Sequence, residues 1–204
     1  TKPIAVTQEA VPVEAEEITI AEFIDKADPT TEYKLTGTIS RVVNETFGNF
    51  DITEGSSTIY VYGLLTPDGT TQKQWADAKL KLGDVITLQG VYSVYDDSLQ
   101  IKNATYVSHY GVKAEKTSVE IDAIGGESTI AISLVNTDEA ITATSDNAHF
   151  RATIDGKNLV ISADANETEA AITGTITIKA GDAYTVINVS QAKQVAEGEA
   201  TPYS

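Results

Sequence analysis

The sequence contains no cysteine and no methionine, and its two histidines, His109 and His149, stand forty residues apart. Without Cys there is no disulfide, no thiolate zinc site and no cysteine nucleophile, and two isolated histidines do not make a three-histidine catalytic metal centre. Positive charge is scarce too: 14 basic residues face 30 acidic ones, for a net charge of −16, and Arg41 and Arg151 supply the only guanidinium groups. Non-specific duplex binding works by neutralising phosphates with Lys and Arg, so a basic-patch nucleic-acid binder is excluded. Long apolar runs are missing as well. The longest, Ile59 to Leu65, is interrupted by Gly63 and falls far short of the roughly 18 residues that a membrane-spanning helix needs.

What is present is an ordinary globular composition: 204 residues, 41% of them hydrophobic and 22% charged, enough for one large domain or two small ones. Residues 1–17 scatter Pro3, Pro12, Glu9, Glu14, Glu16 and Glu17 among Ala and Val without a period, and are expected to form a tether or an added edge strand. A chain that begins on Thr1 rather than Met predicts a processed N-terminus, with any signal peptide or lipid-attachment Cys upstream. Thr19 and Glu22 frame a capping box ahead of Ile20, Phe23, Ile24 and Ala27 at helical spacing, with Pro29 as the stop.

Strand periodicity follows. Tyr33, Leu35, Gly37, Ile39, Arg41 and Val43 alternate with polar residues, Asn49 to Thr53 and Thr58 to Leu64 read as a hairpin around Gly55, and one helical segment, Gln72 to Leu80, carries the only Trp. Asp84 to Tyr95 and Ser98 to Val107 complete the set, joined by an Asp96-Asp97 turn. Five short strands with a helix between the third and fourth is the layout of an OB barrel, in which strands 2 and 3 and the adjoining loops hold oligomeric ligands. Beyond Gly111 seven strand-like runs separated by Gly- and Asp-rich turns indicate an Ig-like β-sandwich. The expected organisation is all-β: a leader over 1–17, an OB-fold domain over 18–110, a seven-stranded sandwich over 113–193 and a loose tail over 194–204.

Residues 18–110 resemble the OB-fold modules of Bacteroidetes cell-envelope proteins through Thr19-Ile20-Ala21-Glu22-Phe23, Leu35-Thr36-Gly37-Thr38-Ile39, Gly48-Asn49-Phe50, Tyr60-Val61-Tyr62-Gly63-Leu64, Gly83 to Gly90 and Ile101-Lys102-Asn103-Ala104. The second half is similar to the BACON family of Ig-like domains through Ala165-Asn166-Glu167-Thr168, Gly174 to Ile178 and Val186 to Gln191, but lacks a mid-domain Trp and has Ala171 or Ile172 where an Arg is usual. The resemblance implies an extracytoplasmic, outer-membrane or cell-envelope lipoprotein that binds carbohydrate or a cell-surface protein, its second domain acting as a binding module or a spacer.

The candidate ligand-binding residues are Tyr60 and Tyr62. Their parity is opposite to that of Ile59 and Val61, so if the aliphatics are inside, both tyrosines share the outer face of the third strand. There they either stack on a base or a sugar ring or pack against neighbours as β-favouring residues. Phe50, Tyr92 and Tyr95 extend the platform or fill the barrel, and Trp75 is expected as a plug over one barrel end. Lys34 and Arg41 fall on opposite faces by parity, and residues 16–110 hold seven basic groups against fourteen carboxylates. That balance favours a neutral glycan or a protein partner over single-stranded nucleic acid, which the OB layout keeps as the alternative. Adjacent carboxylates such as Asp96-Asp97 and Asp138-Glu139 point to opposite sides of a strand and read as polar turns rather than as a glycosidase pair. Asp164, Asn166, Thr168 and Glu169 are loosely spaced like a calcium loop but lack its central Gly and final Glu, and Asn166 reads as a turn cap. No enzyme activity, cofactor or metal is expected.

Overall fold

The Thr19 capping box closes in both directions. The Glu22 N–H donates to Thr19 Oγ1 and the Thr19 N–H to Glu22 Oε2, each at 3.1 Å, starting helix α1 (Ile20–Lys26). Its Ile20 N–H, free at the helix start, donates to the Glu54 carboxylate at 2.7 Å, while Ile20 and Phe23 are fully buried. The computed structural model describes residues 15–26 and 28–194. Most of the expected leader, and the tail beyond residue 194, lie outside the described residues. Of the leader, β1 (Glu16–Glu17) pairs in parallel with Tyr33 and Lys34 as an edge strand.

The chain is all-β, 60% strand and 6% helix. Five strands close a barrel: β2 (Glu32–Asn44), β3 (Asn49–Glu54), β4 (Ser57–Leu65), β5 (Val85–Tyr95) and β6 (Ser98–Ala114). β2 pairs with β3 and β5, β3 with β4, β4 with β6 and β6 with β5, which completes the circle. Alternation sends Leu35, Ile39, Phe50, Ile52, Val61, Ile86, Leu88 and Ile101 inside, each with no exposed surface, and each such side chain contributes about 1.5–3 kcal/mol. Short helix α2 (Gln74–Ala78), between β4 and β5, lays Trp75 over one barrel end with its ring 5.3 Å from that of Phe50.

One stretch departs from simple alternation. β2 pairs Ile39 with Ile52 and then Arg41 with Asp51, leaving Ser40 as an extra residue, and a second shift follows between Val42 and Asn44. A bulge reverses the parity of everything beyond it. Val42 therefore packs on the core, and Val43 is 49% exposed. Arg41 and Val43 leave the apolar face on which alternation places them, and Lys34 and Arg41 share the outer surface instead of lying on opposite sides.

Strand β6 is longer than its sequence pattern, which ends at Val107. Val112 is buried in a second core, and residues 111–114 pair with β8 (Gly126–Val135). That core lies between two sheets. One is the end of β6 with β8, β11 (Asn158–Ala163) and β10 (Phe150–Asp155). The other is β7 (Ser118–Ile121), β13 (Ala183–Gln191), β12 (Ile172–Ala180) and β9 (Ile141–Ser145). Ile130, Leu159, Ile161, Ile176, Ile178 and Ile187 are fully buried between them, making this half a β-sandwich.

Barrel and sandwich are joined by more than the continuous β6. The Gly83 N–H donates to Ile39 O in the barrel, and Gly83 O accepts from the Tyr184 N–H of the sandwich, both at 2.9 Å. Asp84, 2% exposed, accepts from the Lys81 N–H at 2.9 Å and lies against Gly111, where an added Cβ would sit 2.1 Å from its Oδ1. Val85 belongs to the sandwich core although it begins a barrel strand.

Candidate functional site

The barrel's outer wall on β3, β4 and β6 carries the candidate site, and strand register builds it in two rows. Arg41 on β2 faces Asp51 on β3, Asp51 faces Tyr60 on β4, and Tyr60 faces Gln100 on β6. In the neighbouring row Asn49, Tyr62 and Lys102 align. The Tyr60 and Tyr62 ring centroids are 6.5 Å apart. Ile59 and Val61 are buried inside, whereas Tyr62 is 44% exposed, and Tyr60 is half-buried between its row neighbours.

Arg41 clasps Asp51 with both arms of its fork: Nε donates to Oδ2 at 2.6 Å and an Nη to Oδ1 at 3.1 Å. Hydrogen bonding to Asp51 and its charge hold the guanidinium pKa above its ordinary value. The Tyr60 phenol is also pushed up, first by burial and then by the Asp51 charge, so it remains a protonated donor at neutral pH. A groove of about 440 Å³ opens here, walled by Arg41, Val43, Tyr60, Tyr95, Leu99 and Gln100. Tyr95, 74% exposed, stands at its lip because Asp96 and Asp97, with φ of 48° and 58°, turn β5 directly into β6.

Other candidate positions lie elsewhere. Phe50 is inside the barrel, and Tyr92 turns inward, its ring 6.1 Å from that of Phe23. His109 Nδ1 bonds the Tyr106 hydroxyl at 2.7 Å near the barrel–sandwich joint, and His149 bonds Gln191 within the sandwich. Asn166 caps its turn, with Oδ1 accepting from the Thr168 N–H at 2.9 Å, while Asp164 is clasped by Arg151 at 2.9 and 3.0 Å. Among the described residues no three His, Cys, Asp or Glu side chains gather to hold a metal ion, and no helix is long and apolar enough to cross a membrane.

Sequence reasoning missed Arg41, Asp51 and Gln100 as parts of this face. The bulge at Ser40 hid Arg41. Asp51 was within reach: counting back from the Gly55-Ser56 hairpin turn pairs it with Tyr60.

No protein-family model matches the chain, and no curated protein matches it. Among solved structures, it is similar to a protein from Bacteroides thetaiotaomicron solved by NMR (19% identity, TM-score 0.33, covering 41% of this chain and 88% of that one). It is also similar to an IG27 protein domain (16% identity, TM-score 0.28, covering 41% and 99%). A third likeness is to the fibronectin(III)-like modules of Clostridium thermocellum CbhA (13% identity, TM-score 0.29, covering 95% and 96%).

Proposed function

We propose that this chain is a non-catalytic, extracytoplasmic binding protein in which an OB-type barrel holds an oligosaccharide on the β3–β4 face and a BACON-like, Ig-like sandwich serves as its spacer. The observation that carries this reading is a groove walled by half-buried Tyr60 and exposed Tyr95, with exposed Tyr62 beside Tyr60, whose one guanidinium is already neutralised by Asp51. Aromatic faces stack on sugar rings, and the half-paired polar groups beside them offer hydroxyl partners. The circular order β2-β3-β4-β6-β5, with a helix between β4 and β5, fits an OB barrel, in which ligands lie on the second and third strands and the loops after strands 1 and 4. The groove supports this reading by bordering that region: its wall takes Tyr60 from β4, Val43 from the end of β2 ahead of the β2–β3 loop, and Tyr95 and Asp96 from the β5–β6 turn. The extracytoplasmic setting and lipid anchorage rest on the family resemblances of residues 18–110 and 113–193.

A glycan-array screen followed by calorimetric titration tests the reading. Tyr60→Ala combined with Tyr62→Ala is expected to weaken binding by about 1–3 kcal/mol per stacked ring, by analogy with bases stacked on aromatic platforms, with little change in thermal unfolding. Binding should be nearly independent of salt. A steep loss of affinity with salt, on oligonucleotides rather than glycans, would mark a single-strand nucleic-acid binder instead. Unchanged affinity in the double variant removes the platform.

A further inference from the structure

We infer that the groove discriminates against acidic saccharides in favour of neutral ones, and that Asp51 is the residue that sets this specificity. The inference rests on the oligosaccharide reading above and names its ligand class.

The two members of the Arg41–Asp51 pair are unequally placed. The Asp51 side chain is 14% exposed and that of Arg41 63%, so the carboxylate is the enclosed partner and the guanidinium lies across its open side. A carboxylate or sulfate on an incoming sugar would be drawn to Arg41. To reach the fork it must displace Asp51, leaving a mostly buried carboxylate without its counter-charge, which is the unfavourable half of any such exchange. The alternative, sharing Arg41, brings two anions side by side. Asp96 on the groove wall adds a third, and the chain's net charge of −16 adds a general repulsion.

A neutral sugar meets none of these obstacles. Its hydroxyls accept from guanidinium N–H groups that Asp51 leaves unused and from the protonated Tyr60 phenol, while its ring lies on Tyr60 or the neighbouring Tyr62. The Arg41–Asp51 pair stays closed throughout. Lys102 is exposed and aligned with Tyr62, in the row next to the pair, where its charge is solvated.

The test presents immobilised neutral cello-, xylo- and manno-oligosaccharides beside oligoglucuronate and oligomannuronate to the wild-type chain and to Asp51→Asn and Arg41→Gln. Wild type is expected to bind at least one neutral series, with the uronates about tenfold weaker or worse. Asp51→Asn keeps the shape but removes the charge and frees the fork, so it should strengthen uronate binding until the gap closes to about threefold or less. Arg41→Gln, at the exposed member, should keep or widen the gap, and it carries the test if Asp51→Asn does not fold. Wild-type binding of uronates at neutral-series affinity, an unaltered gap in a folded Asp51→Asn, or a narrowed gap in Arg41→Gln overturns the inference while leaving oligosaccharide binding in place. Absence of binding to every series removes both.

Discussion

Gly83 is the position where a single methyl group should separate the barrel from the sandwich. Its φ is +86°, and a Cβ there would lie 2.1 Å from the Tyr184 carbonyl oxygen and 3.0 Å from the Tyr184 carbonyl carbon, both backbone atoms with no rotamer to escape into. Gly83→Ala adds backbone strain of order 1–3 kcal/mol. Because the β12–β13 turn must back away, it also breaks the 2.9 Å bond from the Tyr184 N–H to Gly83 O, which is worth about 1 kcal/mol. The combined loss, about 2–4 kcal/mol, corresponds to a fall in melting temperature of about 5–15 °C for a chain of this size. Gly55→Ala is the control. Gly55 also has positive φ, +58°, but nothing lies within 4 Å of its added Cβ, so it reports backbone strain alone, roughly 1–2 kcal/mol. Scanning calorimetry should show one cooperative transition in the wild type and a lowered, broadened or split one in Gly83→Ala as the two cores uncouple. Equal melting temperatures for the two variants, with an unsplit transition in both, would refute the contact as a coupling element.

Asn166 is fully buried, its Nδ2 donating to the Ala170 and Ala192 carbonyls at 2.8 and 3.0 Å and its Oδ1 accepting from Thr168. Asn166→Ala strands those groups and should lower the unfolding free energy in urea by about 2–4 kcal/mol, and a loss under about 1 kcal/mol would contradict the network. Burial, and then the Lys113 charge, hold the His109 pKa below its ordinary 6.5. The unfolded chain therefore takes up the proton first, so stability is complete above pH 6.5 and is lost as the pH falls from there through the folded value. Tyr106 is its bonded neighbour. Asp84, whose pKa burial raises, contributes the opposite slope, gaining stability as the pH falls through its folded value towards 3.8. His109→Leu should flatten the first of these segments in a pH series of unfolding free energies, and parallel curves for variant and wild type would show that His109 is not its source.

Local chemistry alone located much of this protein. The Thr19–Glu22 capping box, the hairpin about Gly55, the Asp96-Asp97 turn and the outward side of Tyr60 and Tyr62 each depend on residues within a few positions of one another, so periodicity and turn preference suffice to place them. Three features depended on partners distant in sequence. The bulge at Ser40 exists because β2 must bend while pairing with both β3 and β5, and no local pattern marks the residue at which register slips. That slip turned Arg41 outward and brought it to Asp51, converting an apparent core-side residue into the charged centre of the groove. The extension of β6 to Ala114 was equally illegible, because residues 111–114 are held as strand by β8, more than ten positions further on. The joint at Gly83 and Tyr184 spans a hundred residues of sequence. Alternation says which residues can face inward; only closure of the barrel and its contact with a second core decide where the alternation breaks and what the broken stretch then meets.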